Sequence, residues 1–402
     1  MCSPYSKPHL SAEWRSHLDA EFAAALARGV FSGASLLVAQ NREPLLERTW
    51  GTVQTGGAPV TRCVRFDLAS LTKPLVTAPL CMTAIEKGLL DLEDPLSKFF
   101  PGRVPEDKKT ITVRSLLSHS SGLPAWAPFY LELVKLPCAE RDEALAAMIL
   151  NTPLDTPPGM AANYSDLGFM LLGLILERIF GASLDALARD LLFSPLSIEE
   201  LHFCPLEAGA TPSAAAQAPP SPAAILQAGN LAVAPAAAAT QFCPWRKRLL
   251  SGEVDDENGW ALGGVAGHAG LFGTARGVFQ FLSFLWGLYE GDAHDFSSAS
   301  ALHPAITART LRTFWTRSGK SDWCLGFDTP SRKGYSSTGR FFTQDTVGHL
   351  GFTGVSFWLD LEKRILIILL TNRVHPTRQN DEIRQFRPVL HDLVMKELLH
   401  GN

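Results

Sequence analysis

Residues 65–77 read RFDLASLTKPLVT, and the four residues Ser70-Leu71-Thr72-Lys73 inside them decide how the rest of the chain is read. A serine and a lysine three positions apart share a face only on a helix. From Ser70 onward, SLTKPLVTAPLCMTAIEKGLL keeps apolar residues at helical spacing as far as Gly88. The spacing therefore predicts a helix on which the Lys73 ammonium reaches the Ser70 hydroxyl. Ser70 then sits at the helix mouth, where free backbone N–H groups and the positive dipole end favour a developing oxyanion. Pro74 falls in or just past the first turn, where a missing N–H does least harm. Taken alone, Ser-x-x-Lys is a frequent chance pattern, and a serine at a helix start is most often a cap. Partners elsewhere in the chain have to carry the chemistry.

Outward from this stretch, strand-like runs lie at both ends of the chain. GASLLVAQ, a turn at NREP and LLERTWG predict a β-hairpin over 33–51. TVGHLGFTGVSFWLD (346–360) and RILIILLTN (364–372) are two β-rich runs joined by the charged turn LEK. Amphipathic helices are expected over 12–29, ended by Gly29, and over 381–399. Helical patterns fill the middle: a short helix within 112–124, then 131–150, then AANYSDLGFMLLGLILERIFG (161–181) after a proline-rich loop. The fold class expected is α+β, an α/β sandwich. An antiparallel sheet is built from the N- and C-terminal segments and flanked by helices, with a mostly helical part inserted. As a division of the 402 residues, 1–66 plus 260–402 make the sheet part and 67–205 the helical part. The Ala/Pro-rich stretch 206–240 is expected to be a flexible or extended surface insertion without chemistry.

Composition narrows the class. Hydrophobic residues make up 46% and charged residues 19%, as in an enzyme with a large buried core. The net charge of −4, without a basic block, argues against a nucleic-acid partner. No apolar run reaches the ~20 residues of a membrane span. The first residues, MCSPYSKPHLSAEWRSHL, lack an apolar signal core. Seven cysteines without C-x-x-C spacing are expected to be buried thiols in a reducing compartment, and the cytoplasm is the expected location. Gly264, Gly267 and Gly270 do not make G-x-G-x-x-G after a strand, and SGKS (318–321) lacks the first P-loop glycine, so tight turns and close packing explain them better. The eleven histidines lack metal-ligand spacing, so neither a metal nor another cofactor is implied.

A serine nucleophile needs a base and oxyanion donors. Lys73 acts as a base only where burial and neighbouring charge depress its pKa. Tyr164-Ser165-Asp166 lies where a Pro/Gly loop enters an apolar helix and is a candidate relay, although a core tyrosine beside a helix-start aspartate is the commoner meaning. His349-Leu350-Gly351 opens a strand, where Gly351 allows close approach to the backbone and Phe352 offers an N–H.

In this order, S-x-x-K (Ser70, Lys73), Y-S-D (Tyr164 to Asp166) and H-x-G (His349 to Gly351) resemble the serine β-lactamase and penicillin-binding-protein superfamily. FDLASLTK, LLSHSSGLP, PPGMAANYSDLGFMLLG, GGVAGHAGLF and GHLGFTGVSFWLD resemble its class C-like serine hydrolase and esterase branch. The resemblance covers about residues 30–200 and 240–375. It implies Ser70 as nucleophile, Lys73 as base, Tyr164 as proton relay to the leaving group and Asp166 as the group that orients Lys73. It also implies an oxyanion hole from the N–H groups of Ser70 and Phe352, with His349 facing the substrate through a hydrogen bond or partial positive charge. The third element departs from the superfamily, with His349 for a lysine and Leu350 for a threonine, and Asp166 replaces an amide. These changes argue against efficient β-lactam turnover. The expected substrate is a small ester or amide: a carboxylic ester first, with a D-amino-acid peptide or amide of peptidoglycan type as the alternative. A weak β-lactamase or a non-catalytic scaffold are further readings.

Overall fold

The computed structural model describes residues 10–206, 237–291, 305–319 and 321–400. Its strands, in chain order, are β1 (Gly33–Gln40), β2 (Glu43–Gly51), β3 (Phe66–Asp67), β4 (Leu201–Phe203), β5 (Phe242–Cys243), β6 (Arg248–Leu249), β7 (Leu271–Gly273), β8 (Thr346–Leu350), β9 (Ser356–Asp360) and β10 (Ile365–Thr371). The main sheet runs β2-β1-β10-β9-β8, antiparallel throughout, so both chain ends supply it. The architecture is α+β, as expected.

Side-chain alternation explains why the central strands are apolar without a break. Leu36 pairs with Leu369 and Val38 with Ile367, and this face is covered by the helices Ala12–Ala27 and Ile383–His400 through Leu18, Phe22, Phe386 and Leu390. Leu37, paired with Ile368, faces the other side, where Val278, Leu282 and Leu285 of the helix Ala275–Glu290 cover it. A sheet buried on both faces has no polar face left to alternate. Phe22 alone, fully buried and stacked 3.7 Å from Trp50, contributes about 1.5–3 kcal/mol by burial.

Several local expectations are corrected. The hairpin turn is the pair Asn41-Arg42, both at positive φ, rather than four residues, because such a two-residue turn matches strand twist. Residues 346–360 are two strands, β8 and β9, folded about a tight turn at 351–355. His349 therefore lies near the end of β8 and does not open a strand. The helical stretch 131–150 is broken at Pro137, between Tyr130–Leu133 and Cys138–Asn151. Most of 206–240 lies outside the described residues. Ala238 and Ala239 at its end are buried, and their N–H groups bond Arg65 O (2.8 Å) and Val53 O (2.8 Å), so this end is packed structure. Of the cysteines, Cys81, Cys243 and Cys324 are buried, but Cys63 and Cys138 are exposed. Among the described residues no single helix is long and apolar enough to cross a membrane.

A second sheet, β3-β7-β4, brings the segment before Ser70 against the glycine-rich run 264–273. A Cβ on Gly267 would stand 2.2 Å from Phe169 O, so only glycine lets this run lie on the helix Asp166–Phe180. Thr77 Oγ1 donates to Gly267 O (2.6 Å) and closes the contact from a third element.

Candidate active site

The predicted helix at Ser70 is instead three conformations in succession. Ala69–Leu71 is a 3₁₀ turn, Lys73–Thr77 a π-helical turn, and Ala78–Glu86 an α-helix. Pro74 has no N–H to give, Thr72 Oγ1 bonds back to Ala69 O (2.7 Å), and Ala78 N–H reaches five residues back to Lys73 O. Ala69 adopts φ 45°, a left-handed conformation strained for alanine. Asp67 holds it there, accepting the N–H groups of Ala69 (2.8 Å) and Asp255 (2.7 Å) on its two carboxylate oxygens.

The result brings Ser70, Lys73, Tyr164 and Asp166 together. Lys73 Nζ lies 2.9 Å from Ser70 Oγ, 2.7 Å from Asp166 Oδ1 and 3.1 Å from His268 O. Tyr164 donates its hydroxyl to Ser70 Oγ at 2.7 Å. Lys73 is fully buried, and burial pushes its ammonium below the ordinary lysine range, while the charge and hydrogen bond of Asp166 pull it part of the way back. A neutral amine has two N–H donors and one lone pair. Asp166 and the His268 carbonyl take the two donors, which leaves the lone pair for the Ser70 O–H. Tyr164 stays a phenol, held well above its ordinary pKa by burial and then by Asp166.

His349, at the end of edge strand β8, packs 6.0 Å from the Tyr164 ring. Burial, then Lys73, push its imidazole down to about 3, so it is neutral. Its Nδ1 donates to Leu350 O (2.7 Å), which leaves the buried Nε2 as an acceptor without a partner among the described residues. Gly351 lies against the nucleophile turn, where an added Cβ would be 2.9 Å from Leu68 O. Its N–H is taken by Val355 O (2.8 Å), whereas the N–H of Phe352 has no backbone acceptor among the described residues.

Four residues that the sequence reading did not single out complete the arrangement. Thr353 Oγ1 donates to Asp67 O (2.7 Å) and ties the β8–β9 turn to the nucleophile segment. His119, from the quoted LLSHSSGLP, accepts the Ser165 N–H on Nδ1 (3.1 Å) and packs 4.7 Å from the Tyr164 ring. Trp323 stands 4.6 Å from His119 and 5.4 Å from Tyr164, so the tyrosine is held between rings. Asp256 pairs with His268 Nε2 (2.8 Å). Burial alone would raise Asp256, but the His268 ring and the Gly259 N–H bring it down to about 2. Thr353, Trp323 and Asp256 border a cavity of about 830 Å³ that has Ser70 in its wall and Trp126, Phe352 and Arg384 among its lining. That is room for a small-molecule substrate.

A model of the Beta-lactamase family matches residues 18–389. The chain belongs to the beta-lactamase family. Within the serine β-lactamase and penicillin-binding-protein superfamily it is similar to a putative D-alanyl-D-alanine carboxypeptidase of Escherichia coli, 29% identical over 86% of this chain and 79% of that one. It is also similar to an N-acetylmuramyl-L-alanine amidase of Bacillus subtilis, 31% identical over 77% of this chain and 68% of the relative. Among solved structures it shares its fold with an octameric penicillin-binding protein homologue from Pyrococcus abyssi (TM-score 0.66, 19% identity, 96% and 78% of the two chains). EstCE1, a hydrolase with promiscuous acyltransferase activity, has the same fold (TM-score 0.66, 18% identity, 95% and 98%). The beta-lactamase family is one of serine hydrolases.

Proposed function

We propose that this beta-lactamase family member hydrolyses a small carboxylic ester through an acyl-enzyme on Ser70. The observation that carries the reading is Ser70 Oγ between Lys73 Nζ at 2.9 Å and the Tyr164 hydroxyl at 2.7 Å. In the first step the Lys73 lone pair takes the Ser70 proton as Oγ attacks the carbonyl carbon. The developing oxyanion is held by the N–H groups of Ser70 and Phe352. When the ester bond breaks, Tyr164 gives its proton to the leaving oxygen and is restored by the proton on Lys73. Water then attacks the acyl-enzyme, its proton passes to the same pair, and Ser70 regains its hydrogen as the acid leaves. A placed base contributes about 10²–10⁴-fold and an oxyanion donor about 10²–10³-fold.

His349 supports the ester over a substrate with a carboxylate beside the scissile bond. A neutral ring with an acceptor nitrogen offers no charge to a carboxylate beside the scissile bond, so an ester without one suits this position. A D-amino-acid amide or peptide is the second reading. It is favoured by the carboxypeptidase and amidase names of the two relatives. Parallel assays with short-chain p-nitrophenyl esters, a D-alanyl-D-alanine peptide and a muramyl-peptide amide, each with wild type and Ser70→Ala, test the proposal. Ester turnover lost in Ser70→Ala supports it. Turnover of the peptide or amide alone supports the second reading, and ester turnover retained by the variant refutes the mechanism.

A further inference from the structure

Two arginines, both also in the cavity wall, bond the tight turn 351–355. Arg387 Nη2 donates to Val355 O (2.9 Å) and to Gly351 O (3.2 Å), and the Gly354 N–H bonds the same Gly351 oxygen (3.0 Å). Arg373 Nε donates to Phe352 O (2.7 Å), and its guanidinium lies 4.4 Å from the Phe352 ring. Both arginines are buried. Neither has a carboxylate within ion-pair distance among the described residues, although Arg378 close by has two, Asp255 and Glu257. Burial, then Arg373, push Arg387 down to about 10, which still leaves it a cation at neutral pH. A buried cation that meets carbonyl oxygens instead of a carboxylate keeps its field for the peptide groups it touches.

The peptide it touches is the one that matters. Gly351 C=O and Phe352 N–H belong to a single peptide group, and His375–Pro376 is the one cis bond among the described residues, so this group is trans. In a planar trans peptide the N–H points opposite to the C=O. With the oxygen drawn toward Arg387, the Phe352 N–H faces away from that arginine. Gly351 meanwhile packs on Leu68 and Ala69, the two residues before Ser70.

We propose that Arg387 is a positioning residue for the oxyanion site: by bonding the Gly351 carbonyl it polarises the Gly351–Phe352 peptide and makes the Phe352 N–H a stronger donor to the developing oxyanion. This rests on the Ser70 acyl-enzyme reading. Charge-assisted bonds are about twice as strong as neutral ones, and polarisation passes along a hydrogen-bonded chain. Removing an oxyanion donor outright costs about 10²–10³-fold, so weakening one through its peptide is expected to cost about 10-fold.

The test compares wild type, Arg387→Met and Arg387→Lys on a p-nitrophenyl ester labelled with ¹³C at the carbonyl. Steady-state kinetics are combined with the infrared carbonyl band of the acyl-enzyme. Arg387→Met is expected to lower kcat about 10-fold with KM nearly unchanged and to move the carbonyl band to higher frequency. Arg387→Lys keeps the charge and should bring both back toward wild type. An unmoved carbonyl band in Arg387→Met, even with a lower rate, would mean a merely structural role and overturn the proposal. If Arg387→Met does not fold, Arg387→Lys against Arg387→Gln decides: equal carbonyl frequencies in the two overturn it, and a lower frequency in the lysine variant supports it. Absence of a wild-type acyl-enzyme on Ser70 would overturn the underlying mechanism as well, whereas a normal wild-type adduct with an unmoved band overturns this proposal alone.

Discussion

A methyl group on Gly351 is the smallest change that separates the two halves of the site. In Gly351→Ala the new Cβ would stand 2.3 Å from Val355 Cγ2, 2.9 Å from Leu68 O and 3.4 Å from the Ala69 Cβ. Val355 is fully buried, and Leu68 O belongs to the backbone entering the nucleophile turn, so neither neighbour can swing aside. Restoring ordinary separations of about 3.5–4.0 Å requires the 351–355 turn and the Ser70 turn to part by about 1 Å. Overpacking of this kind costs about 1–3 kcal/mol of stability. A displacement of about 1 Å between the nucleophile and an oxyanion donor costs about 10²-fold in rate. Urea unfolding should therefore report a folded protein weakened by that amount, and p-nitrophenyl acetate hydrolysis should report kcat/KM about 10²-fold lower, mostly in kcat. A folded Gly351→Ala protein with kcat/KM within about twofold of wild type would refute the placement of the β8–β9 turn at the oxyanion.

Four other outcomes are expected. Lys73→Met should abolish turnover, and Asp166→Asn should move the acid limb of the pH–rate profile to lower pH. The Asp166 charge raises Lys73, so without it the amine stays neutral further into acid, and an unmoved limb contradicts the base assignment. His349→Lys should shift selectivity toward substrates with a carboxylate near the scissile bond, read as the ratio of kcat/KM for such an ester to that for a neutral one; an unchanged ratio counts against the assignment at His349. Glu177 is raised from 4.5 to about 7, by burial first, and its carboxylate accepts the Leu184 N–H (2.8 Å). The folded state thus binds the extra proton, and this contribution to stability is present below about pH 4.5 and lost as pH rises through about 7. Unfolding free energies of Glu177→Gln across that range should depend less on pH than those of wild type, and parallel curves would refute the shift.

Those parts of the architecture that rest on local pattern were legible in the sequence. The apolar runs of β1 and β10 placed the sheet at the chain ends, and Ser-x-x-Lys with Tyr164 and Asp166 pointed to one pocket. What was hidden depends on contacts between distant segments. The π turn at Lys73–Thr77 arises from Pro74 and from Thr72, whose hydroxyl also accepts the Leu271 N–H at 3.1 Å, and periodicity cannot register such a bond. Asp67 and Thr353 meet across 286 positions, and each alone reads as a loop polar residue. Arg387 looks like one more charge on an amphipathic helix until its carbonyl partners are seen. The quoted LLSHSSGLP could have pointed to His119, because a histidine in a Ser/Gly loop ahead of the tyrosine element is a candidate support for it.

The covalent state of Ser70 tests the central claim most directly. Wild-type protein quenched during turnover of a slow p-nitrophenyl ester should gain the acyl mass in intact mass spectrometry. Peptide mapping should place that mass on Ser70, and Ser70→Ala should gain nothing and release no nitrophenol. Turnover without an adduct on Ser70, or turnover that survives in Ser70→Ala, would contradict the account.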